Sequence, residues 1–408
     1  MAAGGDPSVL FYSFEGGGLG HLSRALTIGR SLRDRWPAMA QLLVGSGLPT
    51  GSLTVPPETE FVKLPAYRWS GQVWPSEPYR PRVLPMGFGP FLAMRRDMLL
   101  AIGRHFQPDL VLVDHMPAGL AGELAPTLRD LQRAAPSTRF VLGLRDIAGN
   151  GPIMRQIWSR YGADPLLEEL YDRILVFGQR DVYDAVEQFG LSPRVAAKVR
   201  YVGYLRRETR TRSPRQVRRE LGLRTDRLVL VTVGGGSDAY PDLRAVLQAL
   251  GSGPAAPGFD CVVVAGPLMP AAEREHLRAL LPPDRSIRLL DAVVDLVDYV
   301  AAADVVVARA GYNTVCEILS FGRPAVLVPR ATVNMEQLLR AEALAQRGLA
   351  RLIRPDELTP ERLLGAIDDL LAHPDLPRSA LDLNGLPATA SQLEALLGRQ
   401  PPGTAPVP

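Results

Sequence analysis

The chain has 408 residues, more than one hydrophobic core usually supports, so two domains of roughly 200 residues are expected. Its net charge is only +3 and nearly all of its cation is arginine, since Lys63 and Lys198 are the only lysines, so the total charge does not mark a nucleic-acid binder. Cys261 and Cys316 lie far apart without CxxC or Cys/His companions, which fits a reduced compartment and points to neither a disulfide framework nor a zinc site.

Residues 1–7 lead directly into a strand, without the basic and apolar regions of a signal peptide, and no apolar run reaches the ~18 residues of a spanning helix. A cytoplasmic protein is expected, with peripheral contact to a membrane surface left open. Apolar runs of strand length follow at 8–14, 41–44, 60–64, 110–113, 140–144 and 173–177, with helical spacing over 22–34. Runs buried on both faces and separated by helices predict a parallel, doubly wound sheet. Residues 66–90 interrupt the alternation with Tyr67, Trp69, Trp74, Tyr79 and Phe88 among prolines and glycines. So long an irregular loop reads either as a surface excursion or as an aromatic wall for an acceptor molecule. The apolar stretch 94–102 keeps a lipid contact open.

Nine arginines crowd residues 206–227, which read as a solvated helix face at the connection between domains. The alternation then restarts with strands at 228–233, 261–265, 287–290, 304–308 and 325–328, a second doubly wound sheet. The domains expected are 1–205 and 206–380, with a helix over 381–400 that can return to the first domain and a disordered Pro-rich tail at 401–408. Two such sheets in tandem form a cleft, and ligands bind at the carboxyl ends of their strands.

Glu15-Gly-Gly-Gly-Leu-Gly-His21 closes the first strand. Gly17, Gly18 and Gly20 let backbone approach a ligand, and His21 offers an imidazole that takes a proton from a hydroxyl near neutral pH; a structural or capping histidine is the other reading. Asp114 ends another strand of the same sheet and is placed to orient His21 and stabilise its imidazolium. His115, next in the chain, is expected on the opposite side. Arg145 and Asp146 end the following strand and read either as part of this edge or as a structural salt bridge.

In the second half, Gly234-Gly-Gly-Ser237 ends a strand with backbone amides and a hydroxyl suited to phosphate, with Gly235, Gly236 and Ser237 as contacts. Arg309-Ala-Gly-Tyr-Asn-Thr-Val-Cys-Glu317 links a strand to a helix. Gly311, Tyr312, Asn313 and Thr314 there suit a nucleotide diphosphate at the helix N-terminus, and Glu317 is spaced to accept both hydroxyls of a ribose. An ordinary capped β–turn–helix is the alternative. Glu336 and Gln337 offer the acceptors and donors that grip sugar hydroxyls, or simply a polar helix start.

Together these residues resemble the GT-B glycosyltransferases, in particular the branch containing the bacterial peptidoglycan N-acetylglucosaminyltransferase and the UDP-sugar-dependent small-molecule transferases. The resemblance runs from residue 228 to about residue 350 and more loosely over 8–21 and 108–117. It implies two Rossmann-like domains facing a cleft, with the acceptor on the first and a nucleotide sugar, UDP-linked, on the second. It further implies that the loop 291–296, around Val293, reads the base, that Glu317 binds ribose, and that Glu336 and Gln337 bind the sugar. Arg309 stands where small-molecule transferases carry a histidine near the phosphates. The glycine turn reads Gly-Gly-Gly-Ser-Asp-Ala, which departs from the peptidoglycan enzyme's pattern, and 66–90 has no counterpart. The expected activity is inverting, metal-independent transfer, with no cofactor beyond the nucleotide-sugar co-substrate, to a small-molecule or lipid-linked acceptor in natural-product or cell-envelope glycoside synthesis. A sugar-nucleotide hydrolase or epimerase, or a non-catalytic binder, is the competing expectation. A dehydrogenase is disfavoured because the Gly16–Gly20 turn lacks the full dinucleotide fingerprint.

Overall fold

The computed structural model describes residues 5–14, 19–47, 53–69, 78–208, 210–252, 258–281, 287–330, 335–374 and 381–398. The expected tail at 401–408 lies outside them. The chain divides into two compact units, the first made of residues 1–49, 55–204 and 384–408 and the second of 50–54 and 205–383.

In unit 1 the strands are β1 (Ser8–Ser13), β2 (Ala40–Gly45), β3 (Thr59–Lys63), β4 (Tyr67–Trp69), β5 (Tyr79–Pro81), β6 (Leu110–Asp114), β7 (Arg139–Arg145), β8 (Arg173–Phe177) and β9 (Val199–Tyr201). Seven of them form a parallel sheet in the order β3-β2-β1-β6-β7-β8-β9. Its central strands are apolar on both faces, as a sheet covered by helices requires: Val9 to Tyr12 and Leu110 to Val113 are all buried. The helix Gly385–Leu397 belongs to this unit. Its Glu394 accepts from Arg35 Nη1 at 2.7 Å, and a Cβ on Gly385 would lie 2.6 Å from the Gly203 carbonyl oxygen, so backbone meets backbone there.

Residues 66–90, read from sequence as an irregular loop, instead contain the antiparallel ribbon β4–β5 and the start of the helix Phe88–Phe106. That helix absorbs the apolar stretch 94–102. Leu99 is buried, and Met94, Met98 and Ile102 pack on the unit 1 core, so the side that left a lipid contact open faces protein instead.

Unit 2 carries β10 (Leu228–Thr232), β11 (Asp260–Val264), β12 (Ile287–Leu290), β13 (Val305–Ala308), β14 (Ala325–Leu327) and β15 (Arg351–Leu352), in the parallel order β12-β11-β10-β13-β14-β15. Among the crowded arginines Arg206, Arg210, Arg215, Arg219, Arg224 and Arg227 are exposed, as a solvated face requires, while others are tied into this unit. Arg212 donates to the buried Asp298 at 3.0 Å, and Arg218 donates to Asp304 at 2.6 Å and to the Ala302 carbonyl at 2.9 Å. Cys261 and Cys316 are both buried free thiols.

In each sheet the strand order reverses once, at β1/β6 in unit 1 and at β10/β13 in unit 2. The helices leaving neighbouring strands diverge at such a point, which opens a crevice at the carboxyl ends. The candidate residues gather at these two edges.

Candidate active site

At the unit 1 reversal Tyr12 lies opposite Val113, so the carboxyl ends of β1 and β6 share one edge. His21 is the second residue of the helix Gly20–Arg33, and Asp114 is the last of β6. Both are buried, and His21 Nδ1 contacts Asp114 Oδ2. One helical turn along, the buried Arg24 donates from Nε to Asp114 Oδ1 at 2.9 Å and places Nη2 3.0 Å from His21 Nδ1. Burial would raise the Asp114 carboxyl, but Arg24 and then His21 hold it well below the usual carboxylate range. Burial lowers His21 below its ordinary 6.5; Asp114 pulls it back up, while Arg24 and Arg145 push it down. The ring is therefore neutral near pH 7. With Nδ1 donating to the carboxylate, Nε2 is left as the basic atom. Arg24 was missed in the sequence, where its only signal is the i, i+3 spacing from His21.

His115 overturns the expectation that it faces away. The chain leaves β6 there with φ of +67°, in the left-handed region, so strand alternation ends one residue early and the ring swings toward His21. The two imidazole centroids are 5.4 Å apart, and Phe14 lies 5.8 Å from one and 5.7 Å from the other. His115 Nδ1 is buried without a hydrogen-bond partner among the described residues. Burial first, then Arg145, keeps this second imidazole neutral. Arg145 thus acts electrostatically on both histidines from the end of β7. Asp146 is buried and accepts from the Ile147 N–H at 2.7 Å, a backbone-turn role.

Aromatic rings continue from Phe14 to Tyr67 at 6.2 Å, from Tyr67 to Tyr79 at 5.4 Å and on to Phe88 at 6.3 Å. Tyr67, Tyr79 and Phe88 are half-buried and pack on the unit 1 core. Gly20 opens the His21 helix and is exposed. Gly17, Gly18, Trp74 and the side chain of Trp69 lie outside the described residues.

In unit 2, Thr232, Ala308 and Leu327 stand in register at the ends of β10, β13 and β14. The turn after β10 takes positive φ at Gly234 (+72°) and Gly236 (+87°), and a Cβ on Gly236 would sit 2.3 Å from the Ala265 carbonyl oxygen, so only glycine fits. Ser237 is exposed at its tip. The helix Tyr312–Ser320 begins at Gly311 without a side-chain cap, and Tyr312, Asn313 and Thr314 form its first turn at the end of β13. Glu317 follows one turn later, buried, 3.4 Å from Arg207, and burial raises its carboxyl while Arg207 draws it down. Val293 is half-buried in the loop before the helix Leu296–Ala302, beside the exposed Val294.

Four expected donor contacts have partners within unit 2. Tyr312 is buried, and its hydroxyl accepts from the Leu205 N–H at 3.3 Å, so it packs the unit. Arg309 is held by Asp242 through Nε at 2.7 Å and by Asp238 through Nη1 at 2.8 Å. Glu336 accepts from the fully buried Arg340 at 3.0 Å, and Arg340 also donates to the Ala310 carbonyl at 2.8 Å, which fixes the backbone just before Gly311. Gln337 Oε1 accepts from the Arg330 N–H at 3.1 Å.

Residues 259–387 match the glycosyltransferase family 28 C-terminal domain. All of the match but residues 384–387 lies in unit 2. Two curated relatives, both named UDP-N-acetylglucosamine--N-acetylmuramyl-(pentapeptide) pyrophosphoryl-undecaprenol N-acetylglucosamine transferase, extend the likeness. The protein from Halalkalibacterium halodurans is 32% identical over 44% of this chain and 50% of its own, so the match spans half that relative's length. The one from Paenarthrobacter aurescens is 29% identical over 87% of this chain and 86% of its own. Among solved structures, Acinetobacter baumannii MurG aligns with a TM-score of 0.55 at 17% identity, covering 96% of this chain and 99% of that one. The UDP-GlcNAc 2-epimerase from Methanocaldococcus jannaschii gives 0.60 at 10% identity, covering 95% and 99%. At such identities the structures speak for the fold, and the fold is GT-B. The family 28 match spans the loop at Val293, the Arg309–Glu317 segment and Glu336–Gln337.

Proposed function

We propose that the chain is an inverting, metal-independent glycosyltransferase that moves a sugar from a UDP-sugar to a hydroxyl of a small-molecule or lipid-linked acceptor. The observation that carries this reading is the buried imidazole–carboxylate pair of His21 and Asp114 at the reversal edge of the unit 1 sheet. His21 Nε2 takes the acceptor's hydroxyl proton as the oxygen attacks the anomeric carbon. The bond from that carbon to the diphosphate oxygen breaks, and its electron pair leaves with UDP. A single displacement at one carbon inverts it. Asp114 holds the ring and stabilises the imidazolium.

On the donor side, the first-turn amides of the helix Tyr312–Ser320 and the glycine turn face the leaving charge, and Glu317 takes the ribose hydroxyls. The relatives' names make UDP-N-acetylglucosamine the first donor to test and a polyprenyl pyrophosphate-linked sugar the first acceptor. A lipid-linked acceptor would place the protein at the membrane face. Among the described residues no helix is long and apolar enough to cross a membrane.

The test is calorimetric binding of UDP, dTDP, GDP and NAD to the wild type and to Glu317→Ala, followed by UDP release from UDP-N-acetylglucosamine in excess EDTA. The reading expects UDP binding that is lost in Glu317→Ala and acceptor-dependent UDP release that survives the chelator. NAD binding, or UDP release that needs no acceptor, would replace it with a dehydrogenase or a hydrolase.

A further inference from the structure

Two guanidinium groups converge on one carboxylate at the C-terminal edge of the unit 2 sheet. Arg309 follows β13 and Arg330 lies beyond β14, its neighbour in the sheet. Asp238 Oδ1 accepts from Arg309 Nη1 at 2.8 Å, and its Oδ2 contacts Arg330 Nη1. Asp238 belongs to the turn that continues directly from Gly234–Ser237, where the sequence departs from the peptidoglycan enzyme's pattern.

The second carboxylate in the cluster behaves differently. Asp242 sits in the first turn of the helix Tyr240–Ser252, accepts from Arg309 Nε at 2.7 Å, and has a side chain 25% exposed. It orients Arg309 and belongs to the framework. The Asp238 side chain is 47% exposed and, unlike Asp242, bridges both cations. Guanidinium groups presented side by side match the paired oxygens of a diphosphate, and a single carboxylate satisfies each of them only in part.

We propose that Arg309 and Arg330 form a two-point clamp for the diphosphate of the donor, and that Asp238 is its internal occupant, which the diphosphate displaces. This rests on the nucleotide-sugar reading above. The displaced carboxylate moves into water from a half-exposed position, so its loss of partners is mild. Asp242 stays and keeps Arg309 aimed. A monophosphate, like the Asp238 carboxylate, must divide the oxygens of one group between the two guanidiniums, whereas a diphosphate offers each guanidinium the oxygens of its own phosphate, so the clamp favours nucleoside diphosphates. After transfer, Asp238 competes with UDP for the same cations and hastens its release. The apparent affinity is reduced by the fraction of clamps that Asp238 holds closed.

The experiment is calorimetric titration of inorganic pyrophosphate, UDP and UMP into the wild type, Asp238→Asn and Arg330→Gln, with Asp238→Ser as a second replacement at the turn. Both Asp238 variants should bind pyrophosphate and UDP about tenfold tighter and gain much less for UMP, and Arg330→Gln should weaken pyrophosphate and UDP by about tenfold. Equal or weaker pyrophosphate binding in both Asp238 variants overturns the proposal, as does an equal gain for UMP and UDP, which would be a plain charge effect. UDP bound tightly but indifferent to Asp238 and Arg330 keeps the nucleotide reading and removes the clamp. UDP bound no better than pyrophosphate, with both tightened in Asp238→Asn, keeps the clamp and removes the nucleotide reading.

Discussion

At His21, a carboxylate and a guanidinium act on one ring in opposite directions. Asp114 favours the imidazolium, while Arg24 shares the same carboxylate and, with burial, disfavours it. A base with a lowered pKa stays deprotonated to lower pH at the expense of proton affinity. His21→Gln should therefore lower kcat by roughly 10²–10⁴ with UDP binding unchanged, the contribution usual for general-base catalysis, and single-turnover kinetics would read it. Arg24→Gln should raise the His21 pKa, so the acid limb of the kcat/KM profile moves to higher pH; a limb that stays put or moves lower would show that Arg24 does not act through the ring. The His21–Asp114 pair was legible in the sequence because both residues end or follow strands of one sheet. Arg24 and His115 were not. Arg24 sits inside a helix pattern that reads as amphipathic, and His115 depends on a left-handed backbone that no residue type announces, since glycine is the usual occupant there.

Strands with apolar residues on both faces were readable. The cores of β1, β6, β7, β8, β10, β11 and β13 coincide with the expected runs because a parallel sheet covered by helices demands continuous valine, leucine and isoleucine. Short elements at sheet edges and in the ribbon, namely β4, β5, β9 and β15, were not readable, since two or three residues cannot show a period. A buried charge cluster of unit 1 was equally hidden. Arg95, on the helix Phe88–Phe106, donates to both oxygens of Glu123, to Ser46 Oγ at 2.7 Å and to the Pro65 carbonyl at 2.5 Å, while Tyr12 of β1 donates to Glu123 Oε1 at 2.7 Å. Burial works against the Arg95 cation, and the bonds to Glu123 more than restore it. Both partners are buried, so removing one strands the other's charge. Glu123→Ala should destabilise unit 1 by about 3–5 kcal/mol, whereas Tyr12→Phe, which removes the hydroxyl's bond to Glu123 and its acceptance from the Leu120 N–H, should cost about 1–2 kcal/mol. Denaturant midpoints followed by tryptophan fluorescence would measure both. Comparable losses in the two variants would mean that Glu123 and Arg95 are not acting as a desolvated pair.

Across the whole chain, titratable and fluorescent groups are distributed unevenly. The buried histidines, His21 and His115, are both in unit 1, and so are all four tryptophans, Trp36, Trp69, Trp74 and Trp158. Tryptophan emission therefore reports unit 1 alone. Both histidines have folded pKa values below 6.5, so as pH falls through 6.5 the unfolded chain takes up protons that the folded chain refuses. Stability is then lost progressively below the unfolded value, by up to about 1.4 kcal/mol per pH unit for each ring. Asp114 does not offset this between pH 7 and 5. Its folded pKa lies far below its unfolded 3.8, so its contribution is present throughout that range and is lost only in stronger acid. In unit 2 the buried Glu317 works the other way: its raised folded pKa makes it bind a proton more readily folded than unfolded, so acidification toward 4.5 favours the folded state. The fluorescence-detected melting temperature should thus fall by several degrees between pH 7 and pH 5.5, and the slope should flatten in a His21→Gln/His115→Asn double variant, in which neither position titrates. A melting temperature that held steady or rose over that interval would mean that the two imidazoles already accept protons in the folded protein, and with that the neutral ring required of the base would be lost.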